Sequence, residues 1–239
     1  MSKLARLIKG EIKRLIRYKI LPVSLATAAI WIGLFLFISA EEARRIAPLV
    51  IFVDVATMSI LLLGASHHLE KQDGTIRTMM VLPVSLGQVL TAKAVGSMLL
   101  ALESAVVTAA ALYVIHRITF DYVVLLLFVV VAGAAHAAIG LVLSLNSKDF
   151  TSMLGLFVIY LFVFTIPSIL FSLGVVDAKY EWLFMISPSH AANHLISSAV
   201  RGEYEFGMAV GGCVYLAVLA AVLFRFAVYP KFRDNAARG

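Results

Sequence analysis

Three ionisable side chains, Asp54, Glu103 and His136, each stand alone inside a long apolar run. A charge at the centre of a membrane helix costs about 2.5–3.5 kcal/mol on insertion scales, so such residues turn towards protein or water. They could bond a neighbouring helix, or line a substrate route; all three are carried forward as translocation-pathway candidates. Each comes without a second catalytic group, which argues against an intramembrane hydrolase, since acid–base or nucleophilic work needs paired groups in one place. His190 and His194 sit four apart in SHAANH, a spacing that can bring two imidazoles to one metal, but the Glu of a His-Glu-x-x-His site is missing. They are expected to be interfacial polar residues with no metal bound. His67 and His68 are adjacent and point different ways on a helix. Cys213 is the only cysteine, so a disulfide within the chain is excluded and packing is its expected role. No Gly-x-x-x-x-Gly-Lys-Ser/Thr phosphate loop occurs. The chain is therefore not expected to be an enzyme or to hold a cofactor of its own, and no catalytic residue is assigned.

The elements that position these residues follow from the solvent. Hydrophobic side chains make up 62% of the 239 residues and charged ones 14%, with a mean hydropathy of +0.97. A soluble domain carries about 25% charged residues. Crossing about 30 Å of hydrocarbon takes roughly 20 apolar residues in a helix, and a backbone in lipid must satisfy its own hydrogen bonds. Six stretches meet that length: 20–39, 48–66, 89–116, 122–146, 151–174 and 206–229. Period-two alternation of the kind a β-barrel needs is missing. The expected class is an all-α polytopic membrane protein, folded as one transmembrane domain over 1–239.

Lys and Arg orient it. With the amino terminus in the cytoplasm, fourteen of them fall on the inside and five, Arg44, Arg45, Arg117, Lys179 and Arg201, on the outside, with Arg225 left within the last span. Both ends are thereby expected in the cytoplasm. The net charge of +6 is explained by topology and anionic lipid, and no nucleic-acid partner is implied. In MSKLARLIKGEIKRLIRYK, residues 1–19, Leu4, Leu7, Ile8, Ile12, Leu15 and Ile16 recur at helical spacing among Lys and Arg. That pattern predicts an amphipathic helix at the cytoplasmic interface, an anchor that also has the option of resting on a cytoplasmic partner.

The largest inside loop, residues 67–88, contains HHLEKQDGTIRTMMVLPV. Asp73-Gly74 is a turn signal. Thr75 can then cap a short helix over 76–82, which Pro83 stops. Ile76, Met79 and Met80 fall at i, i+3 and i+4, one apolar stripe. Two readings stay open on the residues alone: the stripe fills a groove of another protein, a role for which adaptable Met suits, or it packs on the cytoplasmic ends of spans two and three.

EKQDGTIRTMMVLPVSLGQVLTAKA resembles the segment after the second span in membrane subunits of type-2 ATP-binding-cassette (ABC) exporters. There an acidic residue, a Gly-Thr pair, a short helix and a Leu-Pro or Ser-Pro precede the third span. The resemblance implies that 76–82 is the coupling helix seated on an ATPase subunit, with Glu70, Gly74, Thr75, Ile76, Met79, Met80, Leu82 and Pro83 in that contact. It further implies export driven by a separate nucleotide-binding subunit that binds the ATP and Mg. It also implies a second membrane subunit, identical or homologous, and a bacterial inner-membrane location. The corresponding loop of the haem-exporter B-type subunit of cytochrome c maturation is similar, and a non-transporting membrane scaffold is the remaining alternative. ISPSHAANHLISSAV is similar to the Pro-containing re-entrant helices of the exporters, and favours the drug, antibiotic or lipid-like group with a hydrophobic or amphipathic substrate.

The outer segment, 175–205, carries two apolar pieces, 182–186 and 195–200, each too short to span, with Pro188 expected to break them apart. An exit lid and an interfacial plug, with Tyr180 and Trp182 at headgroup level, both fit that pattern.

Overall fold

The computed structural model describes residues 2–80 and 83–238, excepting the side chains of Arg77, Met80 and residues 236–238. Leu82 thus lies outside the described residues, as does the Met80 side chain. Among the described residues every regular element is helical: α1 (Lys3–Arg17), α2 (Ile20–Phe37), α3 (Ala40–Gln72), α4 (Thr75–Met80), α5 (Leu86–His116) and α6 (Tyr122–Leu145). There follow α7 (Phe150–Tyr160), α8 (Ile166–Ser172), α9 (Glu181–Phe184), α10 (Pro188–Arg201), α11 (Phe206–Val222) and α12 (Tyr229–Arg238). Six segments are long and apolar enough to cross a membrane: α2, α3, α5, α6, α7 with α8, and α11 with α12.

The second span differs most from expectation. It runs from Ala40 through Gln72, taking in the polar stretch 40–47 and carrying Pro48 in its interior. The reason is local. Ser39 and Glu42 form a reciprocal capping box, the Glu42 N–H donating to Ser39 Oγ at 3.3 Å and the Ser39 N–H to Glu42 Oε2 at 2.9 Å, which fixes a start eight residues before the proline. Glu, Ala and Arg then continue the helix readily, and an interior proline is tolerated where neighbouring helices support the backbone. A second capping box, Ser85 with Gln88, opens α5.

Two spans are interrupted. Span five passes through a π-helical turn at Leu161–Thr165 and span six through another at Leu223–Val228. Each turn ends two residues before a proline, Pro167 and Pro230. Proline lacks the N–H and its ring collides with the carbonyl four residues back, so the ladder widens there.

Packing puts α3 at the centre. In its apolar stretch 72% of residues are buried, against 22% for α2, for span five and for span six, which are peripheral. At Gly140 of α6 an added Cβ would lie 2.9 Å from the backbone of Ile60, so α3 and α6 touch backbone to backbone through a glycine. The largest apolar core joins α3, α5, α6, α10 and α11 through residues such as Phe52, Val55, Ala105, Val129, Leu195 and Leu216. α1 and α12 both lie at the end that carries α4: the Lys3 Nζ donates to the Pro83 carbonyl at 3.0 Å, and Phe232 of α12 shares a core with Ile76 of α4. α10 packs at the opposite end, beside the Ala40 end of α3.

Candidate coupling site

At the α4 end, α3 stops at Asp73, and Gly74 takes a left-handed backbone with φ +68°, a conformation in which glycine carries no Cβ penalty. The chain reverses there and α4 starts at Thr75 itself, one residue earlier than the sequence suggests. Thr75 is thus inside the helix rather than its cap: the first turn closes when the Thr78 N–H donates to the Gly74 carbonyl at 3.3 Å. Ile76 is 8% and Met79 6% exposed. Ile76 packs in one core with Leu63 of α3, Leu90 of α5, Leu141 and Leu145 of α6, Val228 at the end of the π turn of span six and Phe232 of α12. Of the two readings of this stripe, packing on the bundle is the one that Ile76 and Met79 adopt. They are the root of α4, and the exposed residues among those described here include Lys71, Gln72, Asp73, Thr78 and Pro83.

Glu70 is also turned inward, fully buried. Its carboxylate meets Lys93 Nζ of α5 at 2.5 Å and Arg14 Nε of α1 at 3.3 Å. Glu11 completes the group, paired with Arg14 and 3.8 Å from Lys93. Two carboxylates and two cations from α1, α3 and α5 therefore neutralise one another, with Lys93, Glu11 and Glu70 all closed off from solvent. Burial by itself raises the Glu11 carboxyl, but the charges of Lys93 and Arg14 outweigh it and hold that carboxyl below its ordinary value of 4.5. Breaking one member of a buried ion group strands the others, at a cost of about 3–5 kcal/mol.

Small residues make room for this. A Cβ at Gly96 would come within 2.8 Å of Glu11 Cγ, so glycine allows α1 to lie against α5. Leu15 follows Glu11 into the protein, packing with Ile20, Met58, Leu62 and Leu100. α1 is thus more than a helix resting in a lipid boundary: it buries Glu11 and Leu15 while Lys3, Arg6, Lys9, Lys13 and Arg17 stay exposed. A third tie to the loop is the Tyr18 hydroxyl, which donates to Asp73 Oδ2 at 2.9 Å. Burial and that bond both push the Tyr18 phenol up.

The pathway candidates are not gathered into one site. Asp54 is buried and accepts a hydrogen bond from Ser104 of α5. Half-buried Glu103 accepts one from Ser24 of α2 at 2.6 Å. Asp54 and Glu103 thus line a polar seam between α2, α3 and α5. His136 is fully buried elsewhere, its Nδ1 donating to the Ala132 carbonyl at 2.8 Å and its ring edge-on to Tyr160. His67 and His68 do diverge, His67 towards Phe232 and His68 towards Phe150 and Ser147.

At the far end the two apolar pieces do fall apart, the first around α9 and the second in α10, and Pro188 between them opens α10. Ser187 caps it, Pro188 occupies its first turn, and Gly202 closes it at φ +72°. α10 takes in the apolar 195–200 and is largely buried. Neutral groups bind it to span five. Ser189 Oγ pairs with Tyr160 Oη at 2.8 Å and Thr165 Oγ1 at 3.0 Å, and Asn193 donates to Ser168 and Ser172 at 3.2 and 2.5 Å. Two cavities, of about 250 and 320 Å³, adjoin α10 and share Ser172, Asn193, Ser197 and Arg201. His190 and His194 face the first, with His194 Nδ1 2.9 Å and His190 Nε2 3.9 Å from Glu181 Oε1. Among the described residues no group of three or more metal-ligating side chains is assembled.

The arrangement defines a polytopic helical membrane protein whose short loop helix is rooted in its own bundle at the end shared by α1 and α12. The chain matches the model of the ABC-2 family transporter protein over residues 44–229; it belongs to that family and is a membrane permease subunit. Comparison with curated proteins gives no match. The matched region takes in α4, Glu70 and Lys93 but begins after α1, so Glu11 and Arg14 lie before it.

Proposed function

We propose that this permease subunit is driven by a separate ATPase subunit that grips α4, and that it exports a hydrophobic or amphipathic molecule in partnership with a second membrane subunit. The observation that carries this reading is the way α4 is fixed. On its buried face, Ile76 is keyed into α3, α5, α6 and α12 and Met79 is buried beside it, while Thr78 is exposed. A helix held in that manner passes a push to the spans behind it, where a helix on a loose loop would yield. The charge group extends the same rigid body to α1. Glu70 then contributes to coupling from inside, by holding the base of α4, and Gly74 and Pro83 by setting its two ends. ATP and Mg sit on the partner, in keeping with a sequence without a phosphate loop. The basic residues clustered at the α4 end support a cytoplasmic position for that end and for both termini. Asp54 and Glu103, in the seam between α2, α3 and α5, are the polar groups best situated to change partners as the spans rock.

A cysteine at Thr78 in a Cys213→Ser background tests the contact. In native membranes a short bifunctional reagent is expected to join it to a co-purifying ATPase subunit, while a cysteine at Ser197, beside the α10 cavities, gives no such product. Joining at neither position, or at both alike, would remove the coupling role from α4.

A further inference from the structure

We propose that the groove between α5, α6 and span six, at the α4 end, is a binding site for one anionic phospholipid, its headgroup on Arg225 and one acyl chain along the groove. Arg225 is the one cation that the count of inside and outside charges leaves over, because it lies within span six. It is exposed, and among the described residues no ion pair includes it; its guanidinium lies over the rings of Phe226 and Tyr229, at 5.7 and 6.0 Å. A guanidinium at membrane depth needs an anion or a route to water. Beside it is a cavity of about 410 Å³ whose floor is apolar, from Leu90 and Ala94 of α5 to Ala220 and Phe224 of span six. Thr91, Ala221 and Arg225 on its rim are exposed, so it opens sideways from the bundle.

Length and charge select the occupant. Along α5 the groove runs from Gly87 to Met98, which at 1.5 Å per residue is roughly 16 Å, about half the hydrocarbon thickness. That suits a chain from one leaflet, and the Gly87 end of the groove is the α4 end. Small residues, Ala94, Ala134, Ala220 and Ala221, leave room for a methylene chain. The π turn at Leu223–Val228 rotates Arg225 relative to a regular helix and so sets where the charge meets the groove. Which leaflet this is rests on the topology proposed above; the binding does not.

Native mass spectrometry of the purified chain, without any ATPase subunit, tests it, with phosphatidylglycerol and phosphatidylcholine of matched chains added in turn. One phosphatidylglycerol is expected to be retained with about a fivefold preference, the effect of a single basic residue near a headgroup. Arg225→Gln should abolish the preference, and Ala221→Trp, which fills the groove, should lower retention of both lipids, with helix content and unfolding temperature as controls for folding. An undiminished preference in Arg225→Gln, or undiminished retention in Ala221→Trp, would overturn the site. So would efficient disulfide formation between two copies carrying Ala221→Cys in a Cys213→Ser background, because a second copy would then cover the groove. None of these results bears on whether α4 meets an ATPase.

Discussion

The two ends of the bundle are held by opposite kinds of chemistry. At the α4 end Glu11, Arg14, Glu70 and Lys93 bring formal charges into a closed cluster, and an apolar core around Ile76 lies beside it. At the α10 end the ties to span five are neutral, from hydroxyls and an amide, with the Glu181 carboxylate as a charge beside His190 and His194, and they border cavities. Charged groups in low dielectric bind strongly and tolerate little displacement, because a small separation leaves each ion uncompensated. Hydroxyls exchange partners at a cost nearer 1 kcal/mol each. The lesson is a division of labour: one end is built to move as a block, the other to rearrange.

The comparison is broken most severely at Lys93. Lys93→Met leaves Glu11 and Glu70 with Arg14 alone and should cost about 3–5 kcal/mol, seen as a large fall in unfolding temperature in detergent. Adding Glu70→Gln should recover part of it, and no recovery would mean that the cluster is not a unit.

Acid separates His190 at one end from Glu11 at the other by window. Burial, against the opposing charge of Glu181, pushes the His190 imidazole down to about 4 from an ordinary value of 6.5, with His194 lowering it further. An unfolded chain takes up that proton first, so stability is full above 6.5 and is lost as pH falls towards 4, by up to about 3 kcal/mol. Glu11 is depressed from 4.5, so its contribution is full above 4.5 and is lost only as pH falls through its lower folded value. Unfolding followed against pH should therefore have a shallower slope between 6.5 and 4.5 in His190→Gln than in the parent chain, and an unchanged one in Glu11→Gln; the reverse pattern would exchange the roles assigned to these two residues.

The mildest change is Ser189→Ala, which removes one hydroxyl shared by Tyr160 and Thr165. It should cost about 1–2 kcal/mol, measured by denaturant midpoint. A loss as large as that of Lys93→Met would mean that the α10 end is as rigidly committed as the other.

Much of this was legible in the residues. Apolar runs of spanning length give six spans, the 3.6-residue pattern gives α1, and Asp73-Gly74 marks the turn before α4. Residues 40–47 were not legible as part of a span because they are polar and Pro48 mimics a helix start; the Ser39/Glu42 capping box was the available signal. The stripe Ile76 and Met79 shows its spacing in sequence but not what it faces, which depends on Phe232, more than 150 positions on. The charge cluster joins positions 11, 14, 70 and 93, so no local pattern announces it. Lys93 amid VLTAKAVGSML was the clue, since a cation in an apolar stretch requires a partner. Pro167 and Pro230 likewise foretell the π turns once each is seen to lie inside a span.

The central claim is that α4 and the bundle behind it move as one body. Spin labels at Thr78 and at Thr91, an exposed position on α5, read it directly when the permease is assembled with the proposed ATPase subunit and carried through nucleotide-free, ATP-bound and vanadate-trapped states by pulsed electron resonance. The Thr78-to-Thr91 distance should stay the same in all three, while the Thr78-to-Thr78 distance between the two copies of the proposed dimer changes. A Thr78-to-Thr91 distance that shifts with nucleotide while the distance between subunits stays fixed would contradict the account.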